Sequence, residues 1–92
     1  MTKAEIVSKI ADNTGVDKTV VLAIVEEFMT QVKDYLIERE NVYLRGFGSF
    51  IVKERKQKVA RNISKQVTIT IPAHSVPSFK PAKTFVESVK EK

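Results

Sequence analysis

The chain has 92 residues, enough for one domain and too few for a second core. It is 42% hydrophobic and 29% charged, which excludes a disordered chain, and the absence of cysteine, the single His74 and the lack of clustered acids exclude disulfide and thiol chemistry and leave no metal-site spacing. No apolar run approaches the ~20 residues of a membrane span, the first residues lack the apolar stretch of a signal peptide, and a net charge of +5 points to an anionic partner.

The charge is uneven. Residues 1–40 hold five Lys/Arg and eight Asp/Glu, a net of −3, whereas residues 41–92 hold 11 Lys/Arg and three acids, a net of +8. Between Arg45 and Lys83 the one acid is Glu54. An acidic front half joined to a basic back half describes a binding face more than an evenly solvated surface.

In chain order, Thr2-x-x-Glu5 has the form of a capping box, and Ile6, Val7, Ile10 and Ala11 recur at helical spacing. Residues 3–13 therefore predict a short helix, which Asn13-Thr14-Gly15 ends, Gly15 taking positive φ. Asp17 is placed to cap a second helix over residues 18–38. Its stripe is Val21, Ile24, Val25, Phe28, Val32, Tyr35 and Leu36, widened by Val20, Ala23, Met29 and Ile37. A helix this apolar needs partners on more than one side, and in so short a chain a second copy is the cheapest supplier.

After Asn41 the period changes to two. Val42 and Leu44 alternate with Tyr43 and Arg45, Gly46-Phe47-Gly48 turns the chain, and Phe50 and Val52 continue the inward face of a returning strand. Lys53-Glu54-Arg55-Lys56-Gln57-Lys58 then reads as strand with both faces polar. Val67, Ile69 and Ile71 alternate again with Thr68 and Thr70 until Pro72, and Arg61-Asn62-Ile63-Ser64-Lys65 between these strands reads as a turn. The result is a long hairpin with no core beneath its far part; Lys53 to Asn62 alone would span roughly 33 Å at strand rise. Pro77, Phe79 and Pro81 bring the chain back, and Ala82, Phe85, Val86 and Val89 predict a final helix over residues 82–92 with Pro81 near its start.

The hairpin carries six cations, Lys53, Arg55, Lys56, Lys58, Arg61 and Lys65, against Glu54. Such a cluster repels itself unless an anion lies between its members, and a two-stranded ribbon is a shape that enters a groove of DNA. Protection of a sheet edge needs only one or two lysines; six on a span that buries nothing favour a polyanion. Ile63 sits where turn chemistry prefers Gly, Pro, Asn or Asp. Taken alone, an exposed aliphatic residue calls for no special explanation; its functional reading is a wedge that unstacks a base step from the minor groove.

Gly46-Phe47-Gly48-Ser49-Phe50, Lys53-Glu54-Arg55, Arg61-Asn62, Ile69-Thr70-Ile71-Pro72-Ala73 and Pro77-Ser78-Phe79-Lys80-Pro81 resemble the HU/IHF family of bacterial DNA-bending proteins, over the whole chain and without gaps. The resemblance implies an α+β fold. In it an intertwined dimer has a helical body, a short β-sheet saddle and a long β-ribbon arm from each subunit. It implies a single domain over residues 1–92, with a helical dimerisation part to residue 40, sheet and arm over 41–81 and a C-terminal helix over 82–92. Its partners are double-stranded DNA and a second subunit, a homodimer being favoured and a heterodimer with a paralogue the alternative. It implies a cytoplasmic, nucleoid-associated protein that bends and compacts DNA with little sequence preference. No enzyme activity, cofactor, small-molecule substrate or membrane contact is implied.

Position by position, the resemblance aligns Lys53 with the base of the arm, Arg55, Lys58 and Arg61 with arm cations along phosphates and the minor groove, and Asn62 with the residue beside the tip. Lys56 and Lys65 add to the arm's charge. Gly46 and Gly48 align with a phosphate-contacting turn on the saddle, and Lys3, Lys80 and Lys83 with flanking phosphate sites near helix starts, where the dipole also favours an anion. Ile63 takes the place of the family's proline wedge and lacks the ring that sets φ. The following Thr-Gly turn is also replaced, and Val67 and Thr68 stand where acids are usual.

Phe47, Phe50 and Phe79 alternate with Leu44 and Val52 and read, with Phe28 and Val32, as packing at the dimer core. Tyr35 and Tyr43 are left undecided by their context. His74 reads as a loop histidine, and Ser49, Ser75 and Ser78 have no His/Asp constellation for nucleophilic catalysis. Two other functions compete: a site-specific subunit of the IHF kind, reading DNA deformability, and an assembly module that uses the ribbon for strand addition. The charge on each ribbon opposes the second. RNA or single-strand binding is disfavoured by the lack of exposed aromatics.

Overall fold

Helix α1, Lys3–Thr14, starts and stops where local chemistry directs it. The Thr2 hydroxyl accepts from the Glu5 N–H at 3.3 Å and itself donates to the Glu5 carboxylate at 3.2 Å. This closes the box through the hydroxyl rather than through the usual reach of the glutamate to the cap N–H. At the other end Gly15, at φ 74°, donates its N–H to the Ala11 carbonyl at 2.9 Å. Helix α2, Lys18–Ile37, begins under Asp17, whose carboxylate accepts from the Thr19 N–H at 3.3 Å. These bounds lie within one residue of the expected ones.

The computed structural model describes residues 1–62 and 67–92, and the side chains of 1–59 and 68–92. The chain divides into two compact units, Met1–Tyr35 and Leu36–Lys92. In the first, Val7, Val21 and Val32 are buried, while Val20, Ile24 and Phe28 stand exposed along α2, Ile24 by 61%. With Thr19, Ala23, Glu27 and Gln31 they line an open apolar groove.

The second unit holds a three-stranded antiparallel sheet in the order β1-β2-β5, from β1 (Val42–Leu44), β2 (Gly48–Arg55) and β5 (His74–Pro81). A separate two-stranded ribbon pairs β3 (Lys58–Asn62) with β4 (Val67–Ile71). Helix α3, Lys83–Lys90, follows. Leu44-Arg45-Gly46-Phe47 closes with a Phe47 N–H to Leu44 carbonyl bond of 3.0 Å, and Gly46 lies at φ 81°. That is the positive φ a type II turn demands at its third residue.

Four expectations need correction. Arg61 and Asn62 are not turn residues: they lie in β3, opposite Thr68 and Val67, so the connection begins after Asn62. Residues 77–81 are not a simple return but part of β5; Pro77 and Pro81 are tolerated because β5 lies at the sheet edge, where one side of the strand needs no donor. His74 opens that strand opposite Arg55 instead of lying in a loop. The last helix is the shorter α3: Ala82 is its N-cap, at extended φ and ψ, and Pro81 ends β5. The hairpin is also interrupted, at Lys56-Gln57 and at Pro72-Ala73, because Pro72 has no N–H for the ladder.

Candidate nucleic-acid interface

Strand alternation sorts the residues of the sheet onto two faces. Val42, Phe50 and Phe79 form one cross-strand row, and Leu44, Gly48 and Pro81 the next on the same side. Phe50 and Phe79 lie 5.0 Å apart between ring centroids, and Phe47 joins them at 6.4 and 5.0 Å. Phe85 of α3 stacks on Phe47 at 5.8 Å. Phe85 was not among the expected core residues, because its contact with the turn exists only once α3 folds back. The Ala82 N–H donates to the Phe47 carbonyl at 2.8 Å and ties the start of α3 to the turn. Phe47, Phe79 and Phe85 remain 45%, 36% and 37% exposed, so the cluster is incompletely covered.

The opposite face is polar and basic. It carries the row Tyr43, Ser49 and Lys80, then Ile51 and Ser78, then Lys53 and Val76, then Arg55 and His74. Lys53, Arg55 and Lys80 therefore share one face. Glu54 falls on the other face, opposite Ser75, and its carboxylate accepts from the Ser75 hydroxyl at 2.9 and 3.0 Å. Period-two alternation thus removes the one acid of this segment from among its cations. Their mutual repulsion is relieved by solvent or by an external anion.

At the end of this face is a depression lined by Tyr43, Arg45, Gly46, Ser49, Lys80 and Lys83, among others. It contains the glycine turn and the first residue of α3. The N-cap Ala82 has no side chain to satisfy the first helical N–H groups, which leaves positive partial charge beside three cations. Gly48 lies against β5: a Cβ there would come within 2.6 Å of the Lys80 carbonyl oxygen and of the Phe79 ring. The demand for glycine at this position is thus one of strand packing, whereas Gly46 has open space and owes its identity to φ.

The expected site residues therefore fall into groups. Gly46, Gly48, Lys53, Arg55, Lys80 and Lys83 lie on one sheet, its turn and the helix after it. Lys56 lies at the interruption and Lys58 opens the ribbon, both exposed. Arg61 and Asn62 continue β3; their side chains, and Ile63 and Lys65 altogether, lie outside the described residues. Lys3 is the first residue of α1 and is bonded to Glu26 of α2, both about half exposed. An exposed pair of this kind is worth ~1 kcal/mol or less. Phe28 lines the groove on α2, and Val32 is already buried within the single chain.

The comparisons agree with this geometry. The chain matches the family described as bacterial DNA-binding protein over residues 1–90. It is 38% identical over 92 residues to the SPbeta prophage-derived DNA-binding protein HU 2 of Bacillus subtilis, covering all of both chains. It is 35% identical over 91 residues to integration host factor subunit alpha of a Marinomonas species, covering 99% of this chain and 93% of that one. Its fold matches the protein of an HU–DNA cocrystal structure from Anabaena with a TM-score of 0.92 and 33% identity, over 100% of each chain. By sequence along its whole length and by fold, the chain belongs to the bacterial DNA-binding protein family.

Proposed function

We propose that this protein is an architectural double-stranded DNA-binding protein, which acts as a dimer in the cytoplasm, on the nucleoid, and whose role is binding and bending rather than catalysis. The observation that carries the reading is the sorting of charge on the sheet: Lys53, Arg55 and Lys80 share one face and Glu54 lies on the other. The basic face receives the duplex backbone, and the glycine turn with the start of α3 receives a flanking phosphate. The β3–β4 ribbon continues into the minor groove with Lys58, Arg61 and Lys65, and Ile63 takes the wedge position at its tip.

The exposed groove of α2 and the half-covered phenylalanine cluster support a dimer. Among the described residues the buried hydrophobic side chains are Val7, Val21, Val32 and Leu36. That is a thin core for the apolar surface left open, and a second copy would bury the rest.

A shift assay over a salt series tests this reading, using linear, nicked and four-way-junction DNA. With six to ten phosphates engaged, affinity should fall by about 10³-fold or more between 50 and 200 mM salt; a slope near zero would overturn the reading. The likeness to an integration host factor subunit supports a second reading, a site-specific subunit. Competition with random duplex separates the two, since site-specific binding should discriminate by ~4 kcal/mol or more.

A further inference from the structure

We propose that Tyr43 is an additional DNA contact, a neutral hydroxyl donor to a backbone phosphate; this rests on the DNA-binding reading. The β1–β2 ladder pairs Val42–Leu44 with Gly48–Phe50 and leaves Val52 beyond its end. The Val52 N–H is taken instead by Oδ1 of Asn41, at 3.0 Å. An amide that offers its oxygen to an N–H presents only donors on its other side. Asn41 Nδ2 accordingly donates to the Tyr43 hydroxyl oxygen at 3.3 Å. A backbone N–H thus sets the asparagine, and the asparagine makes the phenol an acceptor on that side. The phenol's own proton remains to be donated elsewhere.

The acceptor for that proton must come from outside this face. Contrary to the expected lack of exposed aromatics, Tyr43 is 72% exposed; it shares its row with Ser49 and Lys80. Among the described residues this face of the sheet carries no carboxylate, because Glu54 is turned away and engaged by Ser75. Tyr43 also lines the depression that contains Arg45, Lys80 and Lys83. A phenolic donor beside three cations, with no internal anion to serve, is matched by a phosphate oxygen. Being uncharged, it adds affinity and displaces no counterion, which separates it from every lysine and arginine of the interface.

The test is Tyr43→Phe in the full-length protein, measured against a linear duplex over a salt series beside Lys80→Ala. Tyr43→Phe should raise Kd by about tenfold for a two-subunit complex and leave the log–log salt slope unchanged. Lys80→Ala should lower that slope by up to about 0.9 for each phosphate that the lysine neutralises in the parent complex. The melting temperature of Tyr43→Phe should stay close to that of the unaltered protein, since the one internal bond lost with the hydroxyl, from Asn41 Nδ2, is solvent-exposed. With Tyr35→Phe as background, Tyr43 is the sole tyrosine and the chain has no tryptophan; its emission should change when duplex is added. A Kd within twofold of the parent, or unaltered emission at saturating duplex, overturns the assignment of Tyr43 alone. Failure of the parent protein to bind duplex overturns the DNA-binding reading itself.

Discussion

Replacing Gly48 by alanine probes the joint between fold and interface. A Cβ at this position would lie 2.6 Å from the Lys80 carbonyl oxygen and 2.6 and 2.7 Å from two atoms of the Phe79 ring. None of these is the free end of a flexible side chain. The carbonyl belongs to the strand paired with Gly48, and the ring packs at a tilt against Phe47 and Phe50. Relief requires β2 and β5 to part locally or Phe79 to leave its cluster. Overpacking of this kind costs about 2–3 kcal/mol, the upper part of the usual range, because neither neighbour yields cheaply. In a domain of this size, that lowers Tm by roughly 10–20 °C. Thermal unfolding at one fixed protein concentration measures it, since a dimer's Tm depends on concentration. Lys80 is carried by the displaced strand, so duplex affinity at fixed salt should fall in the fraction that remains folded. Parental Tm together with parental affinity would refute the packing role assigned to Gly48.

Three further outcomes are expected. Gly46→Ala, with open space around the new Cβ but φ at 81°, should cost about 1–2 kcal/mol through backbone strain alone, measured by urea unfolding. Replacing Arg55, Lys58 and Arg61 together by alanine should weaken binding to all duplexes alike and flatten the salt slope; unchanged affinity at fixed salt would remove the ribbon from the interface. Phe28→Ser, in the open groove of α2, should shift sedimentation toward a monomer and make Tm steeply dependent on concentration, because Phe28 is 45% exposed in the single chain and a partner subunit would cover it.

Part of the charged segment lies on the ribbon β3–β4 rather than on the three-stranded sheet. Val59, Ile69 and Ile71 are 70%, 45% and 39% exposed, so among the described side chains β3–β4 has no core on either side. A lone two-stranded ribbon is marginal in water. Its pairing is separated from the main sheet at Lys56-Gln57 and Pro72-Ala73. Lys58 and Arg61 are thus carried by a strand with little packing of its own, whereas Lys53 and Arg55 are carried by β2 of the three-stranded sheet.

What could be read directly from the residues was whatever is decided within a few positions along the chain. The caps Thr2, Gly15 and Asp17 and the helical stripes gave α1 and α2 nearly to the residue. Period-two alternation gave β1 and β2, and the charge count marked the segment around Lys53 and Arg55. The start of α3, the strand β5 and the extension of β3 to Asn62 depended on neighbours distant in sequence. Pro77 argues against a strand until an edge position excuses its missing N–H, and Phe85 becomes part of a cluster only when α3 returns to Phe47. Tyr43 could not be assigned from its context, because its role rests on Asn41, on the Val52 N–H that Asn41 takes beyond the end of β1, and on the cross-strand row to Lys80. Sequence by itself determined the helices, the first two strands, the basic segment and the family, since helix periods, caps and net charge are local or additive. Only the tertiary structure decided which side chains share a face, because strand register couples residues that no local period connects.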